Sequence, residues 1–207
     1  MTDSPSIQSE PILPPPGEGK KFAPRAFAYI LDVLLLFALN SGIGFLAGIA
    51  FFLALSLAGL LLGFRPEFAE GNLPALNLII GVILSVLYFS IFEASYGASP
   101  GKILLRMRVV SMDGRPPPLD KAGIRAAWRI IDGLFFGLVA ASSMRPPPHQ
   151  RYGDKRAGTF VVRSDSPLIT YRPSYVALLL ATLAYCAVSA IFQVIAALPF
   201  LTISPSR

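Results

Sequence analysis

Four stretches of near-continuous apolar residues divide the chain, and few polar positions interrupt them. The first runs from about Phe22 to Phe64. As one helix at 1.5 Å per residue it would reach about 60 Å, twice the hydrocarbon thickness of a bilayer. It must therefore project, bend or turn back. The sequence NSGIG, Asn40 to Gly44, is the natural bend, because glycine, Asn and Ser weaken the helical ladder. A full hairpin there would leave two short halves and put the next basic stretch outside, so one span with a kinked or protruding continuation is expected. The second stretch, about Leu73 to Tyr96, has the length of a span. Pro74 near its start gives up no helical bond, and Glu93 lies near its far end. The fourth, about Tyr175 to Thr202, is also long enough, with Tyr171 and Tyr175 suited to the interface at its head. The third, about Lys121 to Ala141, differs. It carries Arg125, Arg129 and Asp132, and only about a dozen uncharged residues follow, too few to cross. Asp120 suits its N-cap.

Two stretches of another pattern flank the third segment. MRVVSMDG pairs β-branched residues with an Asp-Gly turn signal, and GTFVVRSD matches it in kind. Paired, they would form a small hairpin-like lid at the membrane surface; unpaired, each is extended loop. The expected fold is an all-α polytopic membrane protein: three long spans, a short re-entrant or interfacial helix, and this small cytoplasmic β element.

Basic residues decide orientation. Lys20, Lys21 and Arg25 precede the first span, and the loop after it has only Arg65, beside Glu67 and Glu70. The stretch 97–129 holds Lys102, Arg106, Arg108, Arg115, Lys121, Arg125 and Arg129, and 142–173 holds six more. The positive-inside rule places the N-terminus and both later stretches in the cytoplasm of a multi-pass protein. For both to lie inside, the third segment cannot cross.

Composition agrees. The 207 residues are 54% hydrophobic and 14% charged, against about 25% charged in soluble domains. The net charge of +6 sits beside apolar runs, so it points to a bilayer and anionic lipid headgroups rather than nucleic acid. Cys186 is the single cysteine, inside an apolar run, which excludes a disulfide within the chain. The single His149 builds no metal site, no nucleophile–base pair is evident, and neither an enzyme nor a cofactor is expected. Residues 1–20, rich in proline and polar side chains, read as a disordered cytoplasmic tail.

A few polar residues carry the chemistry. Arg25 and Asp32 lie seven apart, on one helical face about 10 Å apart along the axis. Arg25 alone reads as an interface anchor. An unpaired carboxylate at the depth of Asp32 costs roughly 2.5 to 3.5 kcal/mol, so it must face protein or water and find a cation or a proton. Lys102, Arg125 and Arg129 are the candidate cations. Arg125, Arg129 and Asp132 also share a face, and Arg129 and Asp132 are spaced to pair. That face is either a solvated interfacial surface or the surface that meets Asp32. YGASPGK lacks the spacing of a phosphate loop and reads as a helix stop and turn. In RYGDKRAGTFVV, Asp154 is either a solvated turn residue or an ion pair that locks the turn onto the membrane domain.

PRAFAYILD, YGASPGKILLRMRVVSMDG and RYGDKRAGTFVV, in that order, resemble the three motifs of the RDD family of bacterial membrane proteins. The likeness covers about residues 20 to 163 and assigns Arg25, Asp32 and Asp154 as the name-giving arginine and two aspartates. Ser99 stands where the family usually has threonine, and Gly153 where it often has histidine. The resemblance implies a bacterial inner-membrane helical domain over 21–163, followed by a linker and an extra helix over 164–207. It implies an association with transport, in which Asp32 would hold a proton or cation. The rival expectation is a non-catalytic accessory or scaffolding subunit in which Arg25, Asp32 and Asp154 only lock the helices. Polar groups at membrane depth are few: Asp32, Asn40, Asn77 and Gln193. Transport would therefore call for a homo-oligomer or other membrane subunits, and Gly42, Gly44 and Gly48 would let helices approach closely.

Overall fold

The computed structural model describes residues 19–68, 73–132, 134–146 and 149–205. Most of the expected tail, residues 1–18, lies outside them. Three helices are long and apolar enough to cross a membrane: α1 (Phe22–Leu62), α2 (Pro74–Tyr96) and the last helix with its 3₁₀ extension (Tyr175–Phe200). The fold is all-α and polytopic, with two small strand pairs.

α1 is a single helix of 41 residues. Residues 40–44 stay within it, so the long first stretch projects rather than turning back at NSGIG. It stops at Gly63, whose φ of 74° is the left-handed conformation that glycine adopts without a Cβ penalty. The chain then reverses into β1 (Phe64–Phe68).

α2 ends at Gly97, also left-handed. Short α3 (Pro100–Leu104) follows, then β2 (Met107–Ser111) and α4 (Leu119–Asp132). α4 starts at Leu119, where the Ala122 amide already bonds to the Pro118 carbonyl. Asp120 is thus inside the first turn and not the N-cap, a correction that follows from the helix beginning directly after the proline run. α5 (Leu134–Ser143) continues from α4. With 14 and 10 residues, neither is long enough to cross, in keeping with a third segment that stays on one side. Next come α6 (Tyr152–Ala157), β3 (Thr159–Arg163) and α7 (Tyr175–Ala197), a 3₁₀ turn, and β4 (Leu201–Pro205).

β2 and β3 pair antiparallel, from Met107 opposite Arg163 to Ser111 opposite Thr159. The pair expected from the two β-branched stretches forms, closing over α4, α5 and α6 instead of as a local hairpin. One face packs Met107, Val109 and Val161 on Ala28 of α1. The other buries Val110, Phe160 and Val162 beneath residues 168–171. The membrane core is aromatic: Tyr88, Phe89 and Phe92 of α2 meet Tyr185 of α7 and Leu36 of α1. Tyr88 and Tyr185 stand edge to face, ring centres 5.3 Å apart. The last strand pair, β1 with β4, is antiparallel and ties the far end of α1 to the far end of α7.

Candidate functional site

Most of α1 is exposed, and its buried residues near the start are Arg25, Ala28, Asp32 and Leu36. Steps of three and four put them on one stripe. The charged elements of the chain dock on that stripe.

Asp32 is fully buried. Its Oδ1 accepts from the Tyr88 hydroxyl at 3.1 Å and the Gly101 amide at 2.7 Å, and its Oδ2 from the Ser99 hydroxyl at 2.6 Å. These donors come from α2 and from the first turn of α3. Gly101 is needed for this approach, since a Cβ there would stand 2.9 Å from the Asp32 carboxyl carbon and closer still to the Ala28 carbonyl. The SPG turn therefore does more than end a helix. The expectation that Lys102, Arg125 or Arg129 pairs with Asp32 is corrected: all three bind Glu93 instead.

Glu93 is the hub. Fully buried near the end of α2, it accepts at Oε1 from Lys102 and from Arg129 (2.8 Å), and at Oε2 from Arg125 Nε (2.9 Å). Sequence reasoning placed Glu93 near a helix end and gave it no role. The signal was present, since a carboxylate inside an apolar span carries the same cost that singled out Asp32.

Asp154 is the second hub, buried and ion-paired instead of solvated. It accepts from Arg25, from Arg125 at 2.5 Å and from the Arg151 amide at 3.1 Å. Arg25 also donates to the His149 carbonyl at 3.0 Å and is 4% exposed. The reading of Arg25 as an interface anchor is thereby overturned: a buried carboxylate outcompetes the headgroup region for it. Arg125 joins the hubs, reaching Glu93, Asp154 and the Thr159 hydroxyl.

The face of Arg125, Arg129 and Asp132 is buried, while Ile124, Ile130 and Ile131 of the same helix are exposed. α4 is thus an amphipathic helix with its charges turned inward. That face meets Glu93 and Asp154 rather than Asp32. The expected Arg129–Asp132 pair does not form among the described residues. Arg129 turns to Glu93 and lies over the Phe89 ring at 3.5 Å, leaving Asp132 Oδ1 buried with no hydrogen-bond partner among the described residues. Arg151, which sequence reasoning did not single out, has its Nε in the same condition.

Arg25, Asp32, Lys102, Arg125, Arg129, Asp132, Arg151 and Asp154 line one cavity of about 10 Å³, room for about one water. Burial pushes the Lys102 ammonium down to about 7; Glu93 opposes this, and Arg129 and Arg125 add to it. Burial likewise lowers Arg151 to about 9, helped by Arg25 and Arg129. Burial works against ionising Asp154, yet Arg125, Arg25 and Arg151 hold it well below the usual carboxylate range. Asp132 is raised by burial, with Arg151 pulling the other way.

Deeper in the spans lies a second, uncharged group. The Asn40 side-chain oxygen accepts from Tyr185 and Ser189 of α7, each at 2.8 Å, and Gln193 donates to the Asn40 carbonyl at 3.3 Å.

The family model described as RDD family matches residues 20–204, so the matched length includes α7, beyond the stretch that the three motifs cover. No curated protein and no solved structure matches the chain.

Proposed function

The chain belongs to the RDD family, and from that premise we propose that it is an inner-membrane protein of transport type coupled to protons. Asp32 and Lys102 are the protonatable pair. The observation that carries this reading is the placement of a fully buried carboxylate and a buried lysine on the wall of one water-sized cavity inside a membrane protein. Around that cavity the cations Arg25, Lys102, Arg125, Arg129 and Arg151 face the carboxylates Asp32, Glu93, Asp132 and Asp154, five against four. The coupled ion is read as a proton because Lys102, whose pKa in the fold is about 7, gains and loses one near neutral pH. No covalent chemistry is part of the reading, and the protein is not an enzyme. The charged cluster faces the cytoplasm, as does the N-terminus. One copy encloses too little space for a substrate path, so transport requires a homo-oligomer or another membrane subunit.

A second reading is favoured by the ion pairs themselves: Arg25 to Asp154 and Arg125 across both hubs would make a packing lock in an accessory subunit. Reconstitution in liposomes separates the two. Under an imposed pH gradient, wild type should dissipate the gradient and Asp32→Asn should not, while its melting stays near wild type. Absence of flux in wild type, together with a strongly destabilised Asp32→Asn, would leave the packing lock.

A further inference from the structure

We propose that α1 pairs with α1 of a second copy of this chain, in parallel and in register, along Leu46, Ile49, Leu53, Leu57 and Leu60. From Val33 to Leu62 the helix carries no charged residue. At 1.5 Å per residue that part alone is about 45 Å long, against a hydrocarbon thickness of about 30 Å. At the usual helix tilt of about 20° it stands about 42 Å tall, so about 12 Å of apolar helix passes beyond the acyl chains. α2 and α7, with 23 residues each, do not follow it that far. Near its end α7 sets Gln193 beside Gly44, and beyond Leu36 α1 buries only Gly59.

Steps of three and four place the five residues on one face, with Leu46, Leu53 and Leu60 seven apart. All are between 44% and 81% exposed. Gly59 lies toward the other side, against the returning chain at Phe64, so β1 leaves this face open. Lipid covers the seam only inside the hydrocarbon. Outside it, each leucine left in water forgoes about 1.5 to 3 kcal/mol of burial, which a second apolar helix recovers. A second copy fits that need best. Its α1 stands at the same height and orientation in the bilayer, so the two seams meet in register. The seven-residue spacing is that of knobs-into-holes pairing between like helices. No charged residue flanks the seam, so nothing repels the copy or selects an unlike helix. Gly42 opens the same face, and a Cβ there would meet nothing within 4 Å. Its missing side chain serves no contact within the chain and leaves room for a second helix.

Cross-linking reads this contact whether or not protons move, so its failure and that of the transport reading are distinguishable. Leu53→Cys, Leu60→Cys and Ala54→Cys would be made singly in the full chain with Cys186→Ser and oxidised in native membranes with copper phenanthroline. Leu53→Cys and Leu60→Cys should give a disulfide-linked product of twice the 22.2 kDa of the chain. Its yield should be at least about tenfold above that of Ala54→Cys, which lies off the seam at the same depth. In an uncharged detergent, Leu53→Ala combined with Leu60→Ala should weaken the dimer about tenfold or more, read by native mass spectrometry on dilution, while circular dichroism stays that of the folded chain. Equal cross-linking of all three cysteine variants, none at Leu53→Cys and Leu60→Cys, a product of another mass, or an undiminished dimer in the double alanine variant would overturn the proposal.

Discussion

At the residue scale, a carboxylate survives at membrane depth when its lone pairs are met, and Asp32 meets three donors without a direct cation. Ser99 supplies the hydroxyl at 2.6 Å. Ser99→Ala should cost about 1 to 3 kcal/mol in thermal or denaturant unfolding in detergent, because it strands a buried acceptor. Ser99→Thr keeps the hydroxyl while adding a methyl at a fully buried position, and should cost less than Ser99→Ala. A costly threonine would show that methyl packing, not the donor, decides the position. Lys102 gives a pH prediction. Its pKa in the fold, about 7, lies below its unfolded value of 10.5, so the unfolded chain binds more protons between those two pH values. Stability should therefore rise as pH climbs from 7 to 9, with Arg151 adding a slope of the same sign toward the upper end of that window. Asp154, lowered rather than raised, contributes its stability across that whole window and loses it only in acid, as pH falls through its depressed value. Lys102→Met should flatten the rise; an equal slope in wild type and variant would remove Lys102 as its source. The residues legible in sequence were those whose cost is visible locally. Asp32 stood out by depth, and Arg125 and Arg129 by their shared face. Glu93 had the same depth signal but sat near a helix end, where an interfacial carboxylate looks ordinary. Arg151 carried no signal, because its role depends on where α6 docks.

At the element scale, apolar run length and β-branched patterning made most of the fold legible. The three spans, the short third segment and the β2–β3 pair follow from properties each stretch carries by itself. The β1–β4 pair does not. FRPEF and LTISP alternate apolar with polar residues, but each is only five residues long and contains proline, and they meet only because α1 outruns α7 and returns beside it. The inward charges of α4 were read as a face, but its partners were not, since i, i+3 spacing favours a local pair that Glu93 outcompetes. α3 shows how one small residue sets an element's position. Gly101 lets α3 approach α1 until its amide reaches Asp32. Gly101→Ala would press a Cβ on the Ala28 backbone carbonyl, which cannot swing aside as a side chain would. A loss of about 1 to 3 kcal/mol, or more, is expected in unfolding experiments. A neutral alanine would mean that α3 can shift without losing the Asp32 bond.

At the scale of the whole molecule, charge and topology make one joint claim about sidedness. Of 18 lysines and arginines, 16 fall before residue 26, within 102–129 or within 145–172. In the fold these stretches converge at one end of the three spans, where Glu93 and Asp154 gather five of their side chains or backbone amides. The opposite end holds β1 and β4, with Arg65 as a basic residue. By the positive-inside rule we propose that this basic end lies in the cytoplasm. It also follows that α4 and α5 do not cross, because the end of α2 and the segment leading into α7 meet at the same cluster end, where the Tyr171 hydroxyl donates to the Tyr96 carbonyl at 3.2 Å. Single cysteines in a Cys186→Ser background test this directly. Ser166→Cys should react with a membrane-impermeant maleimide only in inside-out vesicles, and Arg65→Cys only in right-side-out vesicles. Labelling of both from one side would require an even number of crossings between residues 65 and 166. It would also dissolve the three-span arrangement on which the buried position of Asp32 in the membrane depends.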